Sequence, residues 1–290
     1  MRHSAIVLTE CPRDAMQGLP AFIPTATKIA YLQQLLAVGF GVLDFGSFVS
    51  PKAIPQLRDT AEVLAGLDLS QTKTKLLAIV ANQRGGEQAA SYPEISYLGF
   101  PLSVSETFQR RNTNQTIAEA RADVAALHAL CERRGKTLVV YLSMGFGNPY
   151  GDPWSPALVT ELTAELAALG IRLVALSDTV GVSTPALITP LFEKLIPAFP
   201  AIEFGAHLHT TPATWPEKVQ AAYQAGCRRF DGALGGIGGC PLATDTLTGN
   251  LATENLVAFL AAQGEALGLD TSELGKARVL SQVVFGPAHC

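Results

Sequence analysis

Charged side chains are scarce in this sequence. Only 16% of its 290 residues are Asp, Glu, Lys or Arg, and the formal net charge is −4. The chain has no basic run and no interleaving of basic with aromatic residues, so we expect no nucleic-acid partner. Apolar residues make up 48% of the chain, which is enough for a large buried core and too many for a disordered protein.

The chain also lacks the cysteine pattern of a disulfide-bonded protein and the long apolar run of a membrane protein. Its five cysteines are widely spaced, odd in number and without a Cys-x-x-Cys pair. No apolar run approaches the ~20 residues that span a bilayer, so we expect no membrane partner. A strand-like segment starts within a few residues of the N-terminus, which argues against a signal peptide. These absences predict a cytoplasmic protein with reduced thiols.

Eight short apolar runs alternate with helical patterns along the chain. The runs lack strict polar alternation, which is typical of buried parallel strands. They are Ala5–Thr9, Val42–Phe48, Lys75–Val80, Ile95–Leu102, Leu138–Ser143, Leu173–Ser177, Phe204–His209 and Arg229–Ala233. No Gly-x-Gly-x-x-Gly follows the first run, which disfavours a dinucleotide-binding open sheet. We therefore predict an α/β fold, a (β/α)8 TIM barrel made by a single domain of residues 1–290, with a short C-terminal extension.

The segments between these runs carry helix signals. Apolar residues recur at steps of three and four from Ile117 to Cys131, as one face of a helix requires. Thr116 and Glu119 predict a capping box at the start of this helix, and Gly135 predicts its end. After about residue 253 the pattern predicts the eighth helix followed by the extension.

In a (β/α)8 barrel, catalytic residues lie at the C-terminal ends of the strands. His207 and His209 are two residues apart in a predicted strand, so both side chains face the same side. Two imidazoles, together with the Asp14 carboxylate and the Asn250 side-chain carbonyl, suit a divalent cation. An isolated His-x-His fits a hydrogen-bonded structural pair equally well. The position of Asp14 at another strand end favours the metal site.

Arg13 and Cys240 are candidate reactive groups beside this site. A guanidinium at the barrel mouth can hold an oxyanion through its fixed donors, although a lone Arg more often forms a surface salt bridge. Cys240 follows a segment with four glycines in five residues, which can fold over a ligand. Most free cysteines are inert, so glycines alone do not decide its role.

Asp44 and Asp178 also lie at predicted strand ends. Either carboxylate can orient Arg13 or a metal ligand, and either can instead cap a helix. The remaining cysteines are expected to be structural or incidental: Cys11, Cys131, Cys227 and Cys290.

These segments together resemble the hydroxymethylglutaryl-CoA (HMG-CoA) lyase family, within the DRE-TIM metallolyase group. The similar segments are Pro12 to Gln17, Ser47 to Lys52, Asp178 to Val182, His207 to His209, Gly238 to Pro241 and Gly249 to Glu254. The glycine-rich loop that ends in Cys-Pro is the most specific of them, because it separates this lyase from related condensing enzymes. The His-x-His motif is shared by the whole group.

The resemblance implies a ligand set and a reaction. It implies that Asp14, His207, His209 and Asn250 bind Mg²⁺ or Mn²⁺. It further implies that Arg13 binds the thioester oxygen of an acyl-CoA substrate and that Cys240 is the catalytic thiol. Asp44 and Asp178 are the expected supporting acids, and Gln17, Tyr141 and Ser143 are expected to contact the substrate. The implied reaction is cleavage of HMG-CoA to acetyl-CoA and acetoacetate by a homodimer, with Asp14 or a metal-bound water as the base.

Three departures from the family pattern bear on the substrate. Asp44 stands where the family has Glu, Thr210 stands where an acid usually follows the second histidine, and the loop from Cys240 to Asn250 is one residue longer. A related metallo-aldolase, or a Claisen-type synthase that uses a 2-oxo acid, is therefore an alternative. A barrel that binds CoA esters without catalysis is another, and the metal-ligand set argues against it.

Overall fold

The computed structural model describes residues 5–239 and 248–286, which form a closed barrel of eight parallel strands. The strands are β1 (Val7–Glu10), β2 (Val42–Ser47), β3 (Lys75–Ile79), β4 (Ile95–Ser103), β5 (Thr137–Ser143), β6 (Leu173–Asp178), β7 (Glu203–Leu208) and β8 (Arg229–Gly232). Each strand pairs with the next along the chain, and β8 pairs with β1 to close the barrel. The predicted (β/α)8 fold is confirmed, and the predicted strand ends differ from the observed ones by two residues or fewer.

Eleven α-helices surround the barrel within the described residues. They are α1 (Pro12–Gln17), α2 (Thr25–Val38), α3 (Thr60–Ala65), α4 (Gln83–Ala90), α5 (Glu106–Thr113), α6 (Ile117–Arg134), α7 (Pro156–Ala168), α8 (Pro185–Ala198), α9 (Trp215–Gln224), α10 (Thr253–Ala262) and α11 (Thr271–Phe285). The capping box predicted for α6 is present, because Thr116 and Glu119 each accept a hydrogen bond from the other's backbone N–H. None of these helices is both long enough and apolar enough to cross a membrane.

The core has two apolar layers. The larger layer lies between the strands and the surrounding helices, as in Leu98 against the helix residues Val124 and Leu127. The smaller layer fills the barrel interior with side chains such as Val42 and Leu173. Alternate residues of a strand face the barrel interior. A residue two positions after an interior residue therefore also faces the interior and lies nearer the C-terminal rim of the barrel. Polar interior side chains are thereby brought to the rim, where the candidate site lies.

The chain after β8 forms α10 and then α11, which is the predicted C-terminal extension. α11 packs on α2, where the rings of Tyr31 and Phe285 meet edge to face with centroids 5.6 Å apart. Gln34 of α2 donates a hydrogen bond of 2.8 Å to the Glu273 carboxylate. The extension therefore covers helices that would otherwise face solvent.

Glu10 ties β1 to the segments that follow β8. Its Oε1 accepts a hydrogen bond from the Leu234 N–H at 2.9 Å, and its Oε2 accepts one from the Thr253 hydroxyl at 2.5 Å. Burial raises the pKa of Glu10 to about 8, although these hydrogen bonds oppose the shift. The pKa of Glu10 is therefore higher in the folded chain than in the unfolded chain. The stabilisation that protonated Glu10 contributes is complete below about pH 4.5 and is lost as the pH rises through about 8.

Glu10→Gln should remove this pH dependence while keeping an oxygen for the Leu234 N–H. Between about pH 5 and pH 8 the free energy of unfolding of the wild type should fall by up to about 1.4 kcal/mol per pH unit more than that of the variant. Urea unfolding at several pH values in this range measures the difference. Parallel pH profiles for the two proteins would show that Glu10 is ionised in the folded chain.

Candidate active site

The candidate site is a pocket at the C-terminal ends of the strands. Its lining includes seven residues selected from the sequence: Arg13, Asp14, Gln17, Tyr141, Ser143, His207 and His209. The rest of the wall contains apolar side chains such as Val49, Ile54 and Phe108, together with the polar residues Asn112, Thr113, Ser177 and Thr179. Asp44, Asp178 and Asn250 are buried behind this lining. The pocket therefore combines a polar floor with a mainly apolar wall, as small-molecule sites commonly do.

Three predicted metal ligands meet in the floor of the pocket. Asp14, His207 and His209 each offer one ligand atom, and these atoms all lie within 4.8 Å of one another. Asn250 lies beside them, because its Nδ2 donates hydrogen bonds to Asp14 Oδ2 at 2.7 Å and to the Ile237 carbonyl at 2.9 Å. The first, seventh and eighth strand units thus converge on one point. Asn250 turns its amide nitrogen toward Asp14, so a carbonyl ligand requires the opposite amide orientation.

The protonation states of this group suit a cation. Burial and the proximity of His207 together lower the pKa of His209 to about 4, so His209 is neutral. Burial would raise the pKa of Asp14, but the charge of Arg13, the two neighbouring histidines and the hydrogen bond from Asn250 together lower it. His209 Nδ1 is buried without a hydrogen-bond partner among the described residues. The neutral imidazole of His209 with its unsatisfied ring nitrogen and the ionised carboxylate of Asp14 are donors that fit a divalent ion.

His207 is held by a residue that the sequence analysis missed. Its Nδ1 lies 3.1 Å from Asp231 Oδ2, and both side chains are buried. Burial would lower the pKa of His207, but the bond to Asp231 and the charge of this carboxylate raise it. A carboxylate that accepts the Nδ1 proton leaves the Nε2 lone pair free for a metal. The ring of Tyr141 packs edge to face against His207 at 5.7 Å between centroids and fixes its plane.

Arg13 forms hydrogen bonds with two carboxylates. Its Nε and Nη2 both donate to Asp44, with Nη2 2.6 Å from Oδ2. Its Nη1 donates to Asp14 Oδ1 and to Gln17 Oε1, each at 2.9 Å. A guanidinium has five N–H donors, so these contacts leave one hydrogen of Nη2 for a ligand. Burial raises the pKa of Asp44 to about 6 against the opposing charge of Arg13.

Asp178 occupies a different place from Asp44. It accepts hydrogen bonds from the Ser183 N–H and hydroxyl and from Lys218 Nζ, which lies 2.8 Å from its Oδ2. Lys218 is also buried and donates to the Gly181 and His209 carbonyls at 3.0 Å. Asp44 therefore contacts Arg13 directly, whereas the hydrogen bonds of Asp178 within the described residues run to Ser183 and to Lys218, which also binds the backbone carbonyl of His209. A catalytic role for Asp178 stays a prediction.

Lys218→Met should destabilise the chain strongly. The variant leaves the Asp178 carboxylate buried without its cation, and breaking a buried pair typically costs about 3–5 kcal/mol. Urea unfolding of this variant should be compared with that of Lys276→Met, which removes an exposed lysine paired with Glu273 and should change stability by less than about 1 kcal/mol. Equal effects of the two substitutions would contradict the importance of the buried pair.

The glycine-rich segment after β8 packs directly on two of the predicted metal ligands. A Cβ on Gly238, whose φ is +105°, would lie 2.6 Å from Asn250 Nδ2 and 2.9 Å from the Asp14 carbonyl. Only glycine allows this approach, because a side chain would displace Asn250 or the Asp14 backbone. Cys240, the predicted thiol, lies outside the described residues. Gly239, the residue before it, is the last described residue of this segment.

Comparison with known proteins supplies the family. The sequence pattern of the HMGL-like family matches residues 5–281. The chain belongs to the HMGL-like family. Its fold also matches the crystal structure of HMG-CoA lyase from Bacillus subtilis with a TM-score of 0.91 at 33% identity, covering 99% of this chain and 96% of that one.

Two curated relatives of this HMGL-like chain differ in the acyl-CoA that they are named for. Hydroxymethylglutaryl-CoA lyase YngG of Bacillus subtilis is 36% identical over 86% of this chain and 82% of its own length. (R)-citramalyl-CoA lyase of Chloroflexus aurantiacus is 32% identical over 94% of this chain and 88% of its own length. An HMG-CoA lyase solved with coenzyme A and 3-methylmalate has a TM-score of 0.90 at 31% identity, over 97% of this chain and 92% of that one. The similarity places the HMGL-like chain among lyases without separating these substrates.

Two residues of the HMGL-like site escaped the sequence analysis for lack of a local signal. Asp231 is two residues after Arg229 in β8, so both side chains face the interior, where a charged residue is unusual. That alternation could have indicated Asp231. Lys218 sits in a helix where a lone lysine normally faces solvent, and nothing in the local sequence indicates its burial.

Proposed function

We propose that this chain is a divalent-metal-dependent carbon–carbon lyase that cleaves HMG-CoA to acetyl-CoA and acetoacetate. The observation that supports this most is the meeting of Asp14, His207 and His209 in one pocket, with the Arg13 guanidinium beside them. Mg²⁺ or Mn²⁺ fits oxygen and imidazole donors of this kind. The two lyase relatives support cleavage of an acyl-CoA over the alternative of an inactive CoA-ester-binding barrel.

The side chains of the site have distinct parts in this proposal. Asp14, His207, His209 and Asn250 would hold the ion, whose Lewis acidity makes a tertiary hydroxyl of the substrate more acidic. The free Nη2 hydrogen of Arg13 would bind the thioester oxygen, which becomes the enolate oxygen when the carbon–carbon bond breaks. This contact strengthens as charge develops on the oxygen, so it favours the transition state over the bound substrate.

Three further residues would position Arg13 and the acyl group. Asp44 binds both Nε and Nη2 of Arg13 and thereby fixes the guanidinium plane, while Gln17 binds Nη1. Tyr141 and Ser143 line the pocket near His207 and would contact the acyl chain. Asp44 is one methylene shorter than the glutamate expected from the family pattern, yet it still binds Arg13 through two of its nitrogens.

Cleavage of (R)-citramalyl-CoA is the second candidate. The relative named for this activity aligns with 94% of the chain. The two substrates share a tertiary alcohol and an acetyl-CoA unit, and they differ by one methylene between the alcohol carbon and the free carboxylate. Discrimination of one methylene in a pocket amounts to about 1–3 kcal/mol. Thr210 replaces an expected acid, and its hydroxyl donates a hydrogen bond of 3.5 Å to the backbone carbonyl of Asn250. It therefore lies close enough to influence which of the two substrates is preferred.

Parallel incubations test both candidates. The protein is supplied with Mg²⁺ or Mn²⁺ and with either HMG-CoA or (R)-citramalyl-CoA, and acetoacetate, pyruvate and acetyl-CoA are measured. The first proposal predicts acetoacetate from HMG-CoA at a kcat/KM at least about tenfold above that for citramalyl-CoA. The reverse ratio would favour the second candidate. No cleavage of either, with formation of a condensed product from acetyl-CoA and a 2-oxo acid, would favour a synthase.

Cys240→Ser should lower kcat by about 10²–10⁴-fold, because the proposed role of this thiol is to give a proton to the enolate carbon. Metal content should stay at the wild-type level, since no cysteine belongs to the proposed ligand set. Single-turnover kinetics with HMG-CoA and metal analysis of the same sample measure both quantities. Unchanged turnover would remove Cys240 from the mechanism.

We further propose a cytoplasmic homodimer that acts on acyl-CoA as a single catalytic domain. The coenzyme A complex of the similar lyase supports the choice of a CoA thioester. Light scattering on the purified protein should give twice the mass of the 30.6 kDa chain. A monomeric mass at micromolar concentration would contradict the dimer, and recovery of the protein outside the cytoplasmic fraction would contradict the location.

A further inference from the structure

A second cluster of side chains that can bind a metal shares His207 with the proposed ion site. Cys11, His207 and Asp231 each offer one ligand atom, and these three atoms lie within 4.8 Å of one another. All three residues are buried, and the Cys11 thiol is free. His207 faces Asp231 with its Nδ1, which lies 3.1 Å from Asp231 Oδ2. This group is called the Cys11 cluster below.

The donors of the Cys11 cluster differ in kind from those of the pocket floor. A thiolate, an imidazole and a carboxylate suit Zn²⁺ or Co²⁺, whereas oxygen-rich sets suit Mg²⁺ and Mn²⁺. Bond lengths to tetrahedral Zn²⁺ place its nitrogen and oxygen ligands about 3.4 Å apart, close to the observed distance between His207 and Asp231. Thr9 pairs in register with Asp231, and its buried hydroxyl has no hydrogen-bond partner among the described residues.

We propose that Cys11, His207 and Asp231 form a second cation site, selective for a thiophilic divalent ion such as Zn²⁺. Binding replaces the Cys11 thiol proton, which leaves as one H⁺ per ion. It also requires the Nδ1 lone pair of His207, so the ring proton moves from Nδ1 to Nε2. No electrons are transferred.

The position of this ring proton makes the two sites antagonistic. A neutral imidazole has one N–H, so the tautomer that binds Zn²⁺ through Nδ1 carries its proton on Nε2. Nε2 is then unable to bind an ion shared with Asp14 and His209. Zn²⁺ in the Cys11 cluster therefore weakens loading of the pocket, and this antagonism, unlike the zinc site itself, rests on the proposed function.

Cobalt absorption tests the site independently of lyase activity. A cobalt–thiolate bond gives intense near-ultraviolet charge-transfer absorption, which the ligands Asp14, His207, His209 and Asn250 do not give. All samples carry Cys240→Ser, so that the thiol expected near the pocket cannot contribute. Titration of this protein with Co²⁺ should produce the band at about one ion per chain. Adding Cys11→Ser should abolish it, and adding Cys131→Ser, a second buried thiol, should leave it unchanged.

The absence of the band at saturating Co²⁺ in the Cys240→Ser protein would overturn the proposal before any Cys11 variant is made. A band that persists after Cys11→Ser, or after Cys11→Ala if the serine variant fails to fold, would also overturn it. These outcomes are read without substrate, so failure here is distinct from failure of the proposed lyase reaction.

Zinc inhibition tests the antagonism. In the Mn²⁺-loaded state, the Cys11→Ser protein should keep the basal turnover of the wild type. Its half inhibition should require a zinc concentration about 10–100-fold higher than that of the wild type, because one zinc ligand is lost. Zn²⁺ that displaces Mn²⁺ directly from the pocket would inhibit both proteins alike. Identical zinc sensitivity of the two proteins would therefore contradict the antagonism.

Discussion

Replacing His209 with alanine should strip the divalent ion and abolish carbon–carbon cleavage. His209 is buried, neutral by virtue of a pKa lowered to about 4, and grouped with Asp14 and His207. Loss of one of two imidazoles leaves too few donors to hold the ion against water, and the substrate hydroxyl then keeps its ordinary acidity. We expect metal content below about one tenth of an ion per chain and a loss of kcat/KM of at least about 10⁴-fold.

His128→Ala is the matched control for this prediction. His128 lies on α6, outside the residues that line the pocket, and its side chain is partly exposed beside Glu132. Its removal should leave metal content and activity at the wild-type level. Full metal occupancy in His209→Ala, measured by plasma emission after dialysis, would exclude His209 from the ligand set.

Arg13→Lys should have the second largest effect. A lysine keeps the positive charge but loses the planar fork that binds Asp44 through two nitrogens and leaves an Nη2 hydrogen for the substrate. Removal of one donor to a developing oxyanion typically costs about 10²–10³-fold in kcat. We expect a fall of this size with little change in KM, since the contact strengthens only as the carbon–carbon bond breaks.

The control for Arg13 is Arg110→Lys, which alters an exposed arginine paired with Glu106 on α5. This variant should match the wild type in kcat. Metal content should be normal in both variants, because neither arginine is a ligand. An Arg13→Lys protein with a raised KM and an unchanged kcat would show that Arg13 binds the substrate and the transition state equally well.

The barrel was predictable because its signals are local. Apolar runs mark each strand, and the capping box of Thr116 and Glu119 marks the start of α6 at the residue where the structure has it. The grouping of His207 and His209 with Asp14 was also accessible, because a barrel brings the C-terminal ends of its strands to one rim. Neither inference needed knowledge of side-chain contacts.

The difference between Asp44 and Asp178 was not accessible from the sequence. Both aspartates were predicted at strand ends, but Asp44 is the third residue of β2 whereas Asp178 is the last residue of β6. Their neighbours in the sequence give no reason to rank them. The structure distinguishes them by partners distant in the chain, since Asp44 binds Arg13 and Asp178 binds Lys218. Lys218 of α9 meets Asp178 of β6 only in the assembled barrel. Long-range ion pairs of this kind leave no periodic pattern.

The same reason explains why Cys11 was judged incidental. In the sequence it is a lone cysteine before a proline, a context without metal-ligand spacing. Barrel closure between β1 and β8 brings its thiol to Asp231, more than two hundred residues away. A ligand set spread over the first and last strands becomes visible only when their pairing is known.

The most direct test of the proposed active site is a crystal structure of the Mn²⁺-loaded protein with anomalous scattering measured at the manganese edge. We predict one strong peak in the pocket floor, about 2.0–2.3 Å from an oxygen of Asp14 and from a ring nitrogen of both His207 and His209. A peak at any other position, or none at saturating Mn²⁺, would contradict the account.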